Sequence, residues 1–324
     1  MSKKFEAIHQ VVQTAIDQKM IYGASYSLID SKRIESHFEG VQGADELAIN
    51  LDPSMIYDLG SLTEVIATSS RIFQLLAVRE VGLKDPIVKF LPGFSNEKIN
   101  IGNLLMHTSG LPVAIDNAEN MTGLEFMDAL YNIETDFEPG EKVQQSPLNT
   151  IVLGLILRTI DGSLDRGVQD HVLYPMAMTN TGYNLNRPKI RFVPTRKDAR
   201  RGQIQGQVED PLALILNGES GHAGLFSTLN DLTVFTEMLI NRGNYQGKEV
   251  LDPQIFDVLG KLEKDGQTLG WQRYNQDTLY ATSSTALIVF NTSLKRGLVV
   301  LTNYITDKEQ GLKLVDDLLK IITE

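Results

Sequence analysis

The chain contains no cysteine, which excludes disulfide scaffolds, thiol catalysis and thiolate metal sites. No stretch approaches transmembrane length, and the amino-terminal segment lacks the uninterrupted apolar core of a signal peptide; as written, the chain is expected to stay in the cytoplasm, off the membrane. Basic residues are too few for a nucleic-acid or anionic-membrane surface: 30 Lys and Arg face 41 Asp and Glu, a net charge of −11. The 5 histidines are scattered without His-Glu-x-x-His or similar spacing, so neither a metal nor a cofactor is expected.

What is present describes a soluble globular protein, 42% apolar and 22% charged, whose 324 residues exceed one ordinary domain. Phe5, Ile8, Val11, Val12, Ala15 and Ile16 predict an amphipathic amino-terminal helix. ASYSLID and RIESHFEG read as two strands joined by a turn at Asp30, Ser31 and Lys32. The stretch YDLGSLTEVIATSSRIFQLL, from Tyr57 to Leu76, passes from an extended segment across Gly60 into apolar positions at helical spacing. Ser61 therefore stands at a helix start. There it serves as a simple cap or, turned into a cleft, as a nucleophile beside free N–H groups and the helix dipole.

Four apolar segments between residues 113 and 241 show helical periodicity: LEFMDALYNI, NTIVLGLILRTI, VQDHVLYPM and DLTVFTEMLI. LGWQRY, TALIVF and RGLVVLTNYI then read as strands, the last apolar enough for a central strand covered on both faces, and EQGLKLVDDLLKII as a closing amphipathic helix.

The Tyr57-to-Leu76 stretch resembles the nucleophile motif of the penicillin-recognising serine hydrolases, in particular the class C β-lactamase, D-alanyl carboxypeptidase and esterase branch. Other phrases resemble it too: Leu104 to Leu111 with His107, Thr108, Ser109 and Gly110, and Gly221 to Thr228. In that family a Ser-x-x-Lys pair acylates, a tyrosine relays the proton, and a Lys/His-Thr-Gly strand meets the substrate carboxylate. This chain keeps Ser61 but carries Glu64 for the lysine and Gln145 for the tyrosine. The strand motif falls near Tyr280, Ala281 and Thr282, with no basic residue, and Glu209 stands where one sub-branch has histidine before Asp210.

The resemblance implies a β-lactamase-like α/β (α+β) fold, an antiparallel sheet flanked by helices with a mainly helical lobe inserted. The α/β lobe would comprise residues 1–95 and 242–324, the helical lobe 96–241, with a cleft between them. Ser61 and Glu64 are the catalytic candidates; Gln145, Asn149, His222, Gly224, Ala281 and Thr282 are candidates for the cleft. His107 is read as architectural, Ser146 and Asn149 as cleft groups or helix caps alike, and His222 as pocket lining or a buried structural histidine. An amide such as Gln145 neither takes nor gives a proton near pH 7. The preferred reading is a catalytically silent protein that binds a small molecule or peptide in the old cleft. The alternative is an active esterase, amidase or carboxypeptidase with Ser61 as nucleophile and Glu64 as an unusual base. Self-association into a homo-oligomer stays open.

Overall fold

The computed structural model describes residues 1–31, 33–44, 48–303, 305 and 308–324. The amino-terminal amphipathic segment forms helix α1 (Lys3–Asp17), whose first turn is capped by Ser2 Oγ accepting the Phe5 N–H. Strands β1 (Gly23–Asp30) and β2 (Arg33–Gly40) pair in antiparallel register, from Gly23 opposite Gly40 to Asp30 opposite Arg33. Of the turn expected between them, Lys32 lies outside the described residues.

After β2 comes β3 (Tyr57–Asp58), then the Ser61 turn and helix α2 (Ser70–Ala77). Helix α3 (Pro147–Asp161) follows, then β4 (Gly182–Tyr183), β5 (Leu225–Ser227) and helix α4 (Leu229–Ile240). Near the other end of the chain lie β6 (Gln272–Asn275), β7 (Thr278–Thr282), β8 (Ala286–Asn291), β9 (Arg296–Thr302) and helix α5 (Lys308–Thr323). Tyr304, the penultimate residue of the segment read as the last strand, lies outside the described residues.

Strands from both chain ends join one antiparallel sheet in the order β6-β7-β8-β9-β1-β2. Alternation decides what each face buries. Tyr26, Leu28, Leu298 and Val300 meet Phe5, Ile8 and Val12 of α1 and Leu314 and Leu318 of α5. On the opposite face Ile29, Ile288 and Val299 belong to the core that includes Phe235, Met238 and Leu239 of α4. Each large side chain so buried contributes about 1.5–3 kcal/mol. The nearly all-apolar β9 is buried from Gly297 to Thr302, as its composition predicts for an inner strand.

A second, three-stranded sheet is what positions the cleft. β5 pairs with β3 on one side and with β4 on the other, so the chain just before Ser61 lies beside the Gly221 to Thr228 phrase. The single tryptophan, Trp271, is buried edge-on against Phe290 with ring centroids 4.9 Å apart. No helix among the described residues is long and apolar enough to cross a membrane.

Candidate functional site

Tyr57 is buried, its phenol bonded to Ser25 Oγ at 2.7 Å, and anchors β3 to the large sheet. Gly60 then turns the chain at φ +51°, in the left-handed region that glycine enters without penalty. The N–H groups of Leu62, Thr63 and Glu64 bond back three residues, to Leu59, Gly60 and Ser61. From Glu64 to Ser69 the helix widens into a π-turn before α2 begins, a rare geometry that recurs at functional sites. Ser61 caps nothing. Among the described residues its hydroxyl makes one hydrogen bond, donated to the Thr282 carbonyl of β7 at 3.2 Å.

Ser61 opens into a cavity of about 380 Å³ whose wall includes Glu64, Gln145, His222, Ala281 and Thr282. Two candidates from the sequence are not in that wall. Asn149 is buried behind it, accepting from Ser109 Oγ and donating to His107 Nδ1 at 3.1 Å, so it braces a neighbour instead of facing a ligand. Gly224, at φ +111°, passes so close to the Gly218 carbonyl that a Cβ would fall 2.3 Å from it. Its role is backbone passage. Ser146 caps α3, accepting the Leu148 N–H and donating to the Pro112 carbonyl, and also lines the cavity.

His107 does more than brace. It ends its helical turn in the left-handed region, φ +51°, and its ring lines the cavity. Nδ1 accepts from the Ser146 N–H and Asn149, which leaves the hydrogen of the neutral ring on Nε2, 3.5 Å from Glu64 Oε2. Gln145 donates to Gln267 Oε1 at 2.7 Å, and Gln267 in turn donates to the Thr268 carbonyl. Gln145 is thus an amide held by an amide. Gln267 carried no signal in the sequence, and Glu64's contact with His107 had none either.

Acidic groups gather around the cavity. Asp58 is buried; that burial pushes its carboxyl up to about 6, against hydrogen bonds from the Gly60 and Glu209 N–H groups and with help from the charges of Glu209 and Asp210. Burial also raises Glu209, with Arg196 and Arg201 opposing. For Asp210 burial acts upward too, but the bond and charge of His222 and the N–H groups of Ala213 and Leu212 together hold it below its ordinary value. His222 Nε2 meets Asp210 Oδ1 at 2.8 Å while Ser220 Oγ meets Nδ1 at 2.8 Å, so the ring is both pocket wall and hydrogen-bonded strut. Among the described residues the cavity wall holds Glu64, Glu209 and Asp210 and no lysine or arginine, although Arg196, outside the lining, pairs with Glu209. A second cavity of about 420 Å³ lies behind Gly221, lined by Met127, Arg158 and Glu219 among others; it does not reach Ser61.

Comparison with known proteins follows the same line. The sequence model of the family described as Beta-lactamase matches residues 8–315. A protein of Escherichia coli, provisionally named D-alanyl-D-alanine carboxypeptidase, is 26% identical over 276 residues, covering 74% of this chain and 64% of that protein. A counterpart from Salmonella newport is 26% identical over 260 residues, 69% of this chain and 60% of its own length. This chain therefore spans less than two thirds of the curated relatives it matches. Among solved structures, a class C β-lactamase superposes with TM-score 0.80 at 16% identity, covering 98% of both chains. An octameric penicillin-binding protein homologue from Pyrococcus abyssi gives 0.79 at 18% identity, covering 98% of this chain and 77% of that one.

Proposed function

Given that the chain belongs to the Beta-lactamase family of serine hydrolases, we propose that its cleft acts as a receptor for a neutral or cationic small molecule or peptide and leaves Ser61 unacylated. The observation that carries this reading is the Ser61 hydroxyl donating to the Thr282 carbonyl. A peptide carbonyl is no base near pH 7, and nucleophilic serines need one within hydrogen-bond reach. Gln145, engaged with Gln267, relays no proton. Glu64 and Asp210, with no lysine or arginine among the described lining residues, oppose a carboxylate ligand such as the D-alanyl terminus in the names of the relatives, while Glu209 is paired with Arg196.

One contact favours the other reading. Glu64 and the Nε2–H of His107 form a carboxylate–imidazole pair beside Ser61, and a serine rotated off Thr282 would find a base there. One experiment separates the two. The chain is incubated with a fluorophosphonate or a penicillin, and its intact mass is then measured. No stoichiometric adduct is expected; rapid labelling that disappears in Ser61→Ala would establish the altered hydrolase instead.

A further inference from the structure

Far from the cleft, on the sheet face covered by α1, strand β2 turns a row of polar residues inward. Because side chains alternate along a strand, Glu35, His37 and Glu39 share one face. Glu35 is engaged by the Ser2 N–H and Arg33. His37 and Glu39 instead converge with His9 of α1, and the ligand atoms of the three lie within 4.8 Å of one another. His37 stands across the strand pair from Tyr26, its ring edge-on to both Tyr26 and His9, yet no hydrogen bond satisfies its nitrogens among the described residues. Glu39 has only His9 and Tyr26 as side-chain partners.

We propose that His9, His37 and Glu39 bind a divalent transition metal of the zinc class and thereby clamp α1 onto the edge strand β2. The donor set is two imidazoles and one carboxylate, which suits zinc and its neighbours and is a poor cage for calcium or magnesium. The spacing is near what such an ion needs. Bonds of about 2.0 Å at tetrahedral angles put neighbouring donors about 3.3 Å apart; His9 Nδ1 and Glu39 Oε2 are 3.2 Å apart. His37 closes the remaining distance by a rotation of a half-buried side chain. The metal takes the place of the 2.7 Å contact between Tyr26 Oη and His9 Nδ1, Tyr26 Oη keeps Glu39 Oε2, 3.3 Å away, as its outer-shell partner, and water completes the fourth position. The ligands come from two elements that are already packed together, so the metal crosslinks them without rebuilding either. The pattern that encodes it, a helical histidine and a strand His-x-Glu nearly thirty residues later, matches no familiar metal signature.

The full chain, stripped with chelator, is titrated calorimetrically with zinc chloride, and thermal unfolding is followed by Trp271 fluorescence. One zinc per chain, a raised Tm, and at least tenfold weaker binding in both His37→Gln and Glu39→Gln are expected. Absence of saturable binding, or unchanged affinity in both variants, overturns the proposal. Should the variants misfold, diethylpyrocarbonate footprinting of the unmodified chain decides. Zinc should protect His9 and His37 while exposed His171 still reacts; protection at His107 or His222 instead, or at no histidine, overturns the assignment.

Discussion

Asp58, Asp210, His222 and Gly221, in the scaffold around the cleft, are tied into the fold through several bonds per residue, whereas Ser61, Glu64 and Gln145 in the cavity lining are held lightly. Asp58 accepts two backbone N–H groups and His222 joins Ser220 to Asp210. Gly221 lies against Thr150 and Gly154 of α3, and its carbonyl accepts from Thr68 Oγ1 at 2.7 Å. By contrast, among the described residues Ser61 is exposed with one side-chain hydrogen bond, Glu64 has one side-chain contact, at 3.5 Å, and Gln145 one partner side chain. Side chains that complete the core's own hydrogen bonds cannot change without cost. Those that face only the cavity, such as Glu64 and Gln145, can.

The sharpest way to break this contrast is Gly221→Ala. A Cβ would stand 2.0 Å from the Thr150 carbonyl and 2.9 Å from the Gly154 nitrogen, both backbone atoms that cannot step aside. We expect a loss of more than about 3 kcal/mol in urea unfolding. A loss below about 1 kcal/mol would mean that the scaffold around the cleft is no more rigid than the cavity lining.

Next in size is the pH dependence carried by Asp58. Its folded-state value is raised from 3.8 to about 6, so between these values the folded chain holds more protons than the unfolded one. The contribution of Asp58 to stability therefore falls as pH rises through that window, by about 3 kcal/mol at most. Asp58→Asn removes this titration, so the variant's stability relative to the natural chain should climb between pH 4 and pH 6.5. A constant difference across that range would show that Asp58 is not held protonated by its surroundings.

Ligand preference gives a smaller effect. The three wall carboxylates are partly solvent-exposed, so their repulsion of an anion is well below the roughly 4 kcal/mol of a pair 4 Å apart at an effective dielectric of 20. Calorimetry should find the C-terminal amide of a D-Ala-D-Ala peptide bound about tenfold tighter than the free acid, about 1.4 kcal/mol. The reverse order would sink the proposed ligand class.

Smallest are the changes in the cavity lining. Ser61→Ala should alter stability by less than about 0.5 kcal/mol, since it removes one bond from an exposed hydroxyl. Glu64→Lys should yield no measurable β-lactam or ester hydrolysis. Catalytic groups that act as a unit typically lose about 10⁴–10⁶ in rate when members are missing, and restoring one does not restore the unit. Turnover by this single variant would show that the relay and the carboxylate anchor exist elsewhere in the cleft.

Much of the scaffold was legible before any coordinates. The alternation in ASYSLID and RIESHFEG, the apolar run of β9, the helical spacing of α1 and α3, and the glycine turn before Ser61 are local signals, and each became the element it implied. Most cleft candidates also line one cavity, because motif order along the chain carries over to a known architecture. Asn149 and Gly224 escaped that logic: a motif position says which residue is near a pocket, not which way it points.

Sequence alone therefore determined the family and the sheet-forming segments, since both are written in residue type and short-range spacing. Only the tertiary structure decided where the decisive protons go. Ser61 donates to a carbonyl 221 residues downstream. Glu64 meets a histidine set in place by the backbone of another helix, and His9 meets two side chains on a strand it merely packs against. Such contacts depend on distances of a few tenths of an ångström between segments remote in sequence, and no periodicity encodes them.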